Sequence, residues 1–143
     1  MFDENGVAAW PALAVNYTTK TQYLFRINKG AFGLSDNSKV NQFVEKRDRP
    51  VPFENMVFIG DGSTDIPCFR LVKEQGGLSV AVFKPHTKGA RGKADNYIKD
   101  GRVHCAVPAV YTDGSELDRV IKANINAVAT RAALSGLLAE GPQ

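Results

Sequence analysis

Residues 56–65 read Met56-Val57-Phe58-Ile59-Gly60-Asp61-Gly62-Ser63-Thr64-Asp65. The first four form a short, continuous apolar run, the pattern of a strand buried on both faces. That run ends directly in a glycine-flanked loop carrying two carboxylates, Asp61 and Asp65. Residues 66–74 then suit a helix closed by Gly76-Gly77, and Leu78-Ser79-Val80-Ala81-Val82-Phe83 suits a second buried strand. Strand, loop, helix and strand in this order predict an α/β domain with a mainly parallel sheet.

Downstream, residues 88–99 predict a basic, glycine-containing helix, and residues 103–107 a short strand. Asp113-Gly114-Ser115-Glu116 opens the clearest helix, with Ser115 as its cap and Asp118 three residues on. Its apolar stripe, Leu117, Ile121, Val128 and Ala132, runs to Gly136. Upstream, Asp3-Glu4-Asn5-Gly6 is a turn signal, followed by an extended reading for residues 7–15 that Pro11 interrupts. Thr18-Thr19 read as a helix cap region. Tyr23, Leu24 and Ile27 then share one face of a short helix ending near Lys29-Gly30. Residues 30–52 are polar and rich in turns, and read as an insertion within a single domain spanning 1–143.

The composition of the 143 residues is 43% hydrophobic and 23% charged, which fits a folded domain and argues against disorder or coiled coil. Eighteen Lys+Arg against fifteen Asp+Glu leave a net charge of +3, too mild to imply a nucleic-acid partner. No apolar run approaches the roughly 18 residues of a membrane span, so no membrane partner is expected. Cys68 and Cys105 lie far apart and outside any CxxC pattern, which suggests neither a disulfide framework nor structural zinc. The first residues lack the basic start and apolar segment of a secretory signal, and a cytoplasmic location is expected.

The chemistry concentrates at Asp61 and Asp65. In open α/β sheets, ligands bind beyond the carboxyl ends of the strands, which is where this loop falls. Two nearby carboxylates repel one another unless a proton or cation intervenes, and hard oxygen donors suit Mg²⁺. The competing reading makes Asp61 a turn cap and Asp65 a helix cap, as for any isolated Gly-Asp-Gly. The preceding strand, the following helix and the second aspartate together favour the metal.

Residues 56–69 resemble the fourth motif of the haloacid dehalogenase-like hydrolases, particularly the phosphoserine-phosphatase-like branch, in which a hydrophobic strand precedes Gly-Asp-Gly-x-x-Asp. The resemblance implies a partial Rossmann-like three-layer domain and a Mg²⁺-dependent hydrolase acting on a small phosphate monoester. By that resemblance Asp61 binds the metal directly, and Asp65 binds it or holds its water. Thr64 stands where the family often carries Asn. A phosphate-contacting lysine is also implied, and Lys20 is the best match; a cation near a helix N-terminus is disfavoured by the dipole, so another reason for it is required. Lys29, at the helix end where the dipole favours a cation, is the alternative, and a solvated surface lysine is the plain reading of either.

The family's nucleophile lies in an Asp-x-Asp motif after an N-terminal strand and forms an aspartyl-phosphate. No Asp-x-Asp occurs in this chain. The reading is therefore the later part of a phosphatase, inactive alone, with a complementing N-terminal segment as a possible partner. A non-catalytic metal- or phosphate-binding regulatory module is the rival. Lys84, Lys88, Arg91 and Lys93 form a basic run that could attract phosphate, but without interleaved aromatics it reads as a solvated helix face. His86 and His104 lack metal-ligand spacing, and Cys68 reads as a core residue.

Overall fold

The computed structural model describes residues 3–7, 15–16, 18–33 and 37–139. They fall into two compact units, Met1–Pro52 and Phe53–Gln143. The extended reading of residues 7–15 lies largely outside the described residues.

The first unit contains helices α1 (Lys20–Asn28) and α2 (Ser38–Asn41) and a single 3-10 turn at Lys46–Asp48. The expected turn at residues 3–6 is present: Asp3 Oδ1 accepts the N–H groups of Asn5 and Val7, both at 2.9 Å. Its Asn-Gly signal works because Gly6 supplies the left-handed conformation, φ 75°. α1 begins where the Thr18-Thr19 signal places it, but Thr19 makes no side-chain cap bond. Asn16 performs that task, its Oδ1 accepting the N–H groups of Thr18 at 3.0 Å and Thr19 at 3.1 Å.

The apolar face of α1 is not its buried side. Tyr23 and Leu24 are only half-buried and Ile27 is exposed, whereas Arg26 and Asn28 are buried. Long-range hydrogen bonds invert the pattern. Arg26 Nη1 donates to Gly33 O at 2.8 Å, and Asn28 Nδ2 donates to Val51 O at 2.8 Å. Lys29 Nζ adds bonds to the carbonyls of Val40 and Gln42, at 2.6 and 2.7 Å. Two polar side chains of α1 and that of Lys29, just beyond its end, thus satisfy carbonyls of the polar stretch.

The second unit is α/β. Strands β1 (Val57–Gly60), β2 (Leu78–Phe83) and β3 (Cys105–Pro108) form an all-parallel sheet in the order β1-β2-β3. The register sets Ile59 beside Val80 and Val82 beside Val107. The crossovers are α3 (Ile66–Glu74) and α4 (Ala90–Lys99), and α5 (Glu116–Ala139) follows β3. Alternation along β2 divides the core. Ala81 packs with Phe69 of α3 and with Ala94 and Tyr97 of α4 on one face. Val80 and Val82 pack with Val107 and Leu117 of α5 on the other. This is the three-layer, partial Rossmann-like arrangement.

Three local features depart from expectation. β1 is not buried on both faces: Ile59 is 37% exposed, because α5 covers β2 and β3 and leaves the edge strand open on that side. α5 passes through Gly136 and runs to Ala139, exposing Leu134, Leu137 and Leu138. A glycine within an exposed helix costs only about 1 kcal/mol and does not end it. The start of α5 is as expected, with Asp118 N donating to Ser115 Oγ at 3.2 Å. Lys122 bonds both Asp113 and Asp118, and its bond to Asp118 together with the N–H of Gly114 holds the Asp118 carboxyl below its ordinary range. Among the described residues no helix is long and apolar enough to cross a membrane.

Candidate functional site

The site is built from the end of β1. After Gly60 the chain makes a single 3-10 turn, Ser63–Asp65, and enters α3 with Pro67 in its first turn. Proline suits that position because it lacks an N–H and has its φ already set for a helix. Asp65 is buried, and its carboxylate points back into the loop rather than onto α3. Its Oδ2 accepts the N–H groups of Asp61 and Gly62, both at 3.1 Å. Asp65 makes no side-chain cap bond to α3; its capping is of the 3-10 turn before that helix, where it accepts the N–H of Gly62, the residue preceding the turn.

Gly60 is the counterpart of that fold-back. A Cβ at Gly60 would lie 2.6 Å from Asp65 Oδ2 and 2.7 Å from its Cγ, closer than such atoms approach. The glycine thus exists for space, since the carboxylate occupies the volume a side chain would fill. The buried carboxylate is thus held by two backbone donors.

Asp61 differs in every respect. It is exposed, and its carboxylate has no hydrogen-bond or ion-pair partner among the described residues. Two clefts meet at it. The larger, about 320 Å³, runs across the carboxyl ends of the three strands and includes Ile59, Lys84, Ala109 and Tyr111. The smaller, about 190 Å³, lies towards α4 and is lined by Asp61, Phe83, Lys84, Lys93 and Ala94, among others. One loop therefore supplies a free carboxylate facing a cleft and a second carboxylate that fixes the loop's backbone.

Mg²⁺ is commonly held by one or two carboxylates, with water and phosphate oxygens completing its octahedron. Asp61 fits that requirement by chemistry and exposure. Asp65 commits one oxygen to two amides, which rigidifies the metal-facing turn. Among the described residues no group of three or more His, Cys, Asp or Glu side chains converges, so a cage made wholly of protein ligands is absent there.

Lys20 is the first residue of α1 in the other unit and is half-buried. The structure thus gathers Asp61 and Asp65 into one turn and places Lys20 in the unit that precedes them. Lys29, the alternative lysine, is engaged by the carbonyls of Val40 and Gln42. Cys68 is fully buried in the core, and burial together with the charge of Glu116 pushes the Cys105 thiol up. Cys105 is therefore not an activated thiolate.

Sequence reasoning assigned Lys84 and Lys93 to a solvated helix face, but both line the small cleft with Asp61. The available signal was position. Lys84 directly follows β2, and every strand of a parallel sheet ends on the same edge. Tyr111, 70% exposed beside the large cleft, was also missed, because it follows a short strand without any motif.

The chain is 29% identical over 119 residues to an uncharacterized protein of Borreliella burgdorferi, an alignment covering 81% of this chain and 39% of that protein. The chain therefore spans well under half the length of that relative. No protein family's sequence profile matches it, and no solved structure matches it.

Proposed function

We propose that this chain carries the metal- and phosphate-holding part of a Mg²⁺-dependent hydrolase of the haloacid dehalogenase-like type, acting on a small phosphate monoester in the cytoplasm. The observation that supports it best is the unpartnered Asp61 carboxylate at the carboxyl end of a parallel strand, on a loop braced by Asp65. When bound, Mg²⁺ supplies charge neutralisation at the phosphoryl oxygens. Asp61 would hold that ion, and Asp65 fixes the loop that presents it. No Asp-x-Asp is present in the 143 residues, so the attack on phosphorus is assigned to a group outside them, a complementing N-terminal segment. Neither nucleic acid nor membrane is a partner in this reading.

The test is a Mg²⁺ titration of the ¹⁵N-labelled chain, with p-nitrophenyl phosphate as the turnover probe. Expected are Mg²⁺ shifts concentrated at residues 60–65, their loss in Asp61→Asn, and no turnover above buffer. Mg²⁺-dependent turnover by the chain, abolished by Asp61→Asn, would show that these residues hold a nucleophile and overturn the assignment. Absence of Mg²⁺ shifts at the loop would overturn the hydrolase reading itself. The missing Asp-x-Asp also favours a second reading, a non-catalytic regulatory module that binds metal or phosphate; it predicts the same Mg²⁺ shifts with no turnover even when an N-terminal Asp-x-Asp strand is supplied.

A further inference from the structure

The basic run of the sequence does not behave as one face. Arg91 turns to Asp95, with 3.8 Å between guanidinium and carboxylate. Lys84 and Lys93, nine residues apart, instead reach one cleft from two elements: Lys84 just beyond β2, Lys93 on the opening turns of α4. Neither has a hydrogen-bond or ion-pair partner among the described residues, and Asp61 is the sole acid lining that cleft. The first turn of α4 contains no acidic residue to compensate them. Two like charges beside the positive end of a helix are mutually unfavourable, by a margin that depends on how far solvent screens them.

The other residues lining the cleft, Val82, Phe83, Ala90 and Ala94, have apolar side chains. A concave site with apolar walls and a few converging charges is the usual form of a small-ligand pocket. We propose that Lys84 and Lys93 form an oxyanion subsite that holds an anionic group of the ligand beside Asp61. This deepens the phosphate-ester reading and rests on it for the identity of the anion. Asp61 opposes the same anion by like charge unless a cation intervenes, so anion binding and Mg²⁺ binding should reinforce one another.

Inorganic phosphate is the probe, titrated into the ¹⁵N-labelled chain with and without Mg²⁺ at low ionic strength. Lys84→Gln and Lys93→Gln should each weaken phosphate binding about two- to fivefold, the range for one exposed ionic contact, with Lys84→Arg retaining it. Asp61→Asn should tighten metal-free binding and abolish the gain from Mg²⁺. Undetectable phosphate binding, or binding unchanged in both Lys variants, overturns the subsite. The two readings fail separately. Lysine-dependent phosphate binding that ignores Mg²⁺ and Asp61→Asn keeps the subsite and removes the hydrolase, whereas Mg²⁺ shifts at residues 60–65 with phosphate binding indifferent to both lysines do the reverse.

Discussion

Asp65 Oδ2 receives the backbone N–H of Asp61 at 3.1 Å, so the two carboxylates of the loop are coupled through the main chain rather than through each other. One is committed to shaping the turn, and the other is left free at the cleft. Removing Asp65 should therefore disturb Asp61 without touching it. Asp65→Ala leaves two loop amides without their acceptor and should cost about 1–3 kcal/mol. Urea unfolding measures the loss, and amide shifts at residues 61 and 62 should exceed those elsewhere. An unchanged midpoint would remove Asp65 from its bracing role.

Gly60→Ala attacks the same relationship from the other side. Its Cβ would stand 2.6 Å from Asp65 Oδ2 and 2.9 Å from Asp65 Cβ, so carboxylate or strand must shift. The expected cost is about 1–3 kcal/mol, as for other overpacked sites. Gly62→Ala is the control, since its Cβ would meet Thr64 Oγ1 at 3.7 Å and Asp65 Oδ2 at 3.8 Å, ordinary contact distances. Equal melting temperatures for the two variants would contradict the close approach.

Much of this frame is legible in the sequence, and the exceptions share a cause. β2 is readable because a strand covered on both faces is a nearly continuous apolar run, its one buried polar residue, Ser79, donating its hydroxyl to Phe69 O at 2.8 Å. The exposure of Ile59 was not, since an apolar run does not say whether a strand is central or at an edge. The buried side of α1 is illegible for a related reason: Arg26 and Asn28 bond carbonyls at Gly33 and Val51, and such pairings leave no periodic trace. Asp61 was found through its motif. Lys84 has none and becomes visible only when β1 and β2 are set side by side.

His104 gives the second unit a pH dependence. Its Nδ1 accepts the N–H of Ser79 at 3.1 Å while its own N–H bonds Ser79 O at 2.9 Å, extending the β2–β3 pairing by a side chain. Burial, and then the charge of Lys73, hold the ring below its ordinary value. The unfolded ring titrates near pH 6.5, so below that value the unfolded state binds more protons. The stabilisation is complete above about pH 6.5 and is lost as pH falls through the lower folded value. Thermal melts at pH 7.5 and 5.0 should show a larger loss in the wild type than in His104→Gln. An equal loss in both would assign the acid sensitivity elsewhere.

Tyr97 places its hydroxyl in the core without a hydrogen-bond partner among the described residues, while its ring packs on Phe69 with centroids 5.9 Å apart. A buried polar group left unsatisfied costs about 1–3 kcal/mol, and the phenyl ring alone retains the packing. Tyr97→Phe should raise the urea midpoint. A lowered midpoint would mean that the hydroxyl is hydrogen-bonded after all.

Asp61→Asn separates stability from ligand binding. The side chain is exposed and has no partner among the described residues, so the substitution should move folding stability by no more than about 0.5 kcal/mol. Mg²⁺ binding selectively to the folded chain stabilises it by RT ln(1 + [Mg²⁺]/Kd), about 1.4 kcal/mol at ten times Kd. The wild type should therefore melt higher as Mg²⁺ is added, and Asp61→Asn should not, although the two melt together without it. A Mg²⁺-dependent rise that survives Asp61→Asn would place the cation away from this loop, and a metal-free difference between the two proteins would mean that Asp61 serves the fold rather than the ligand.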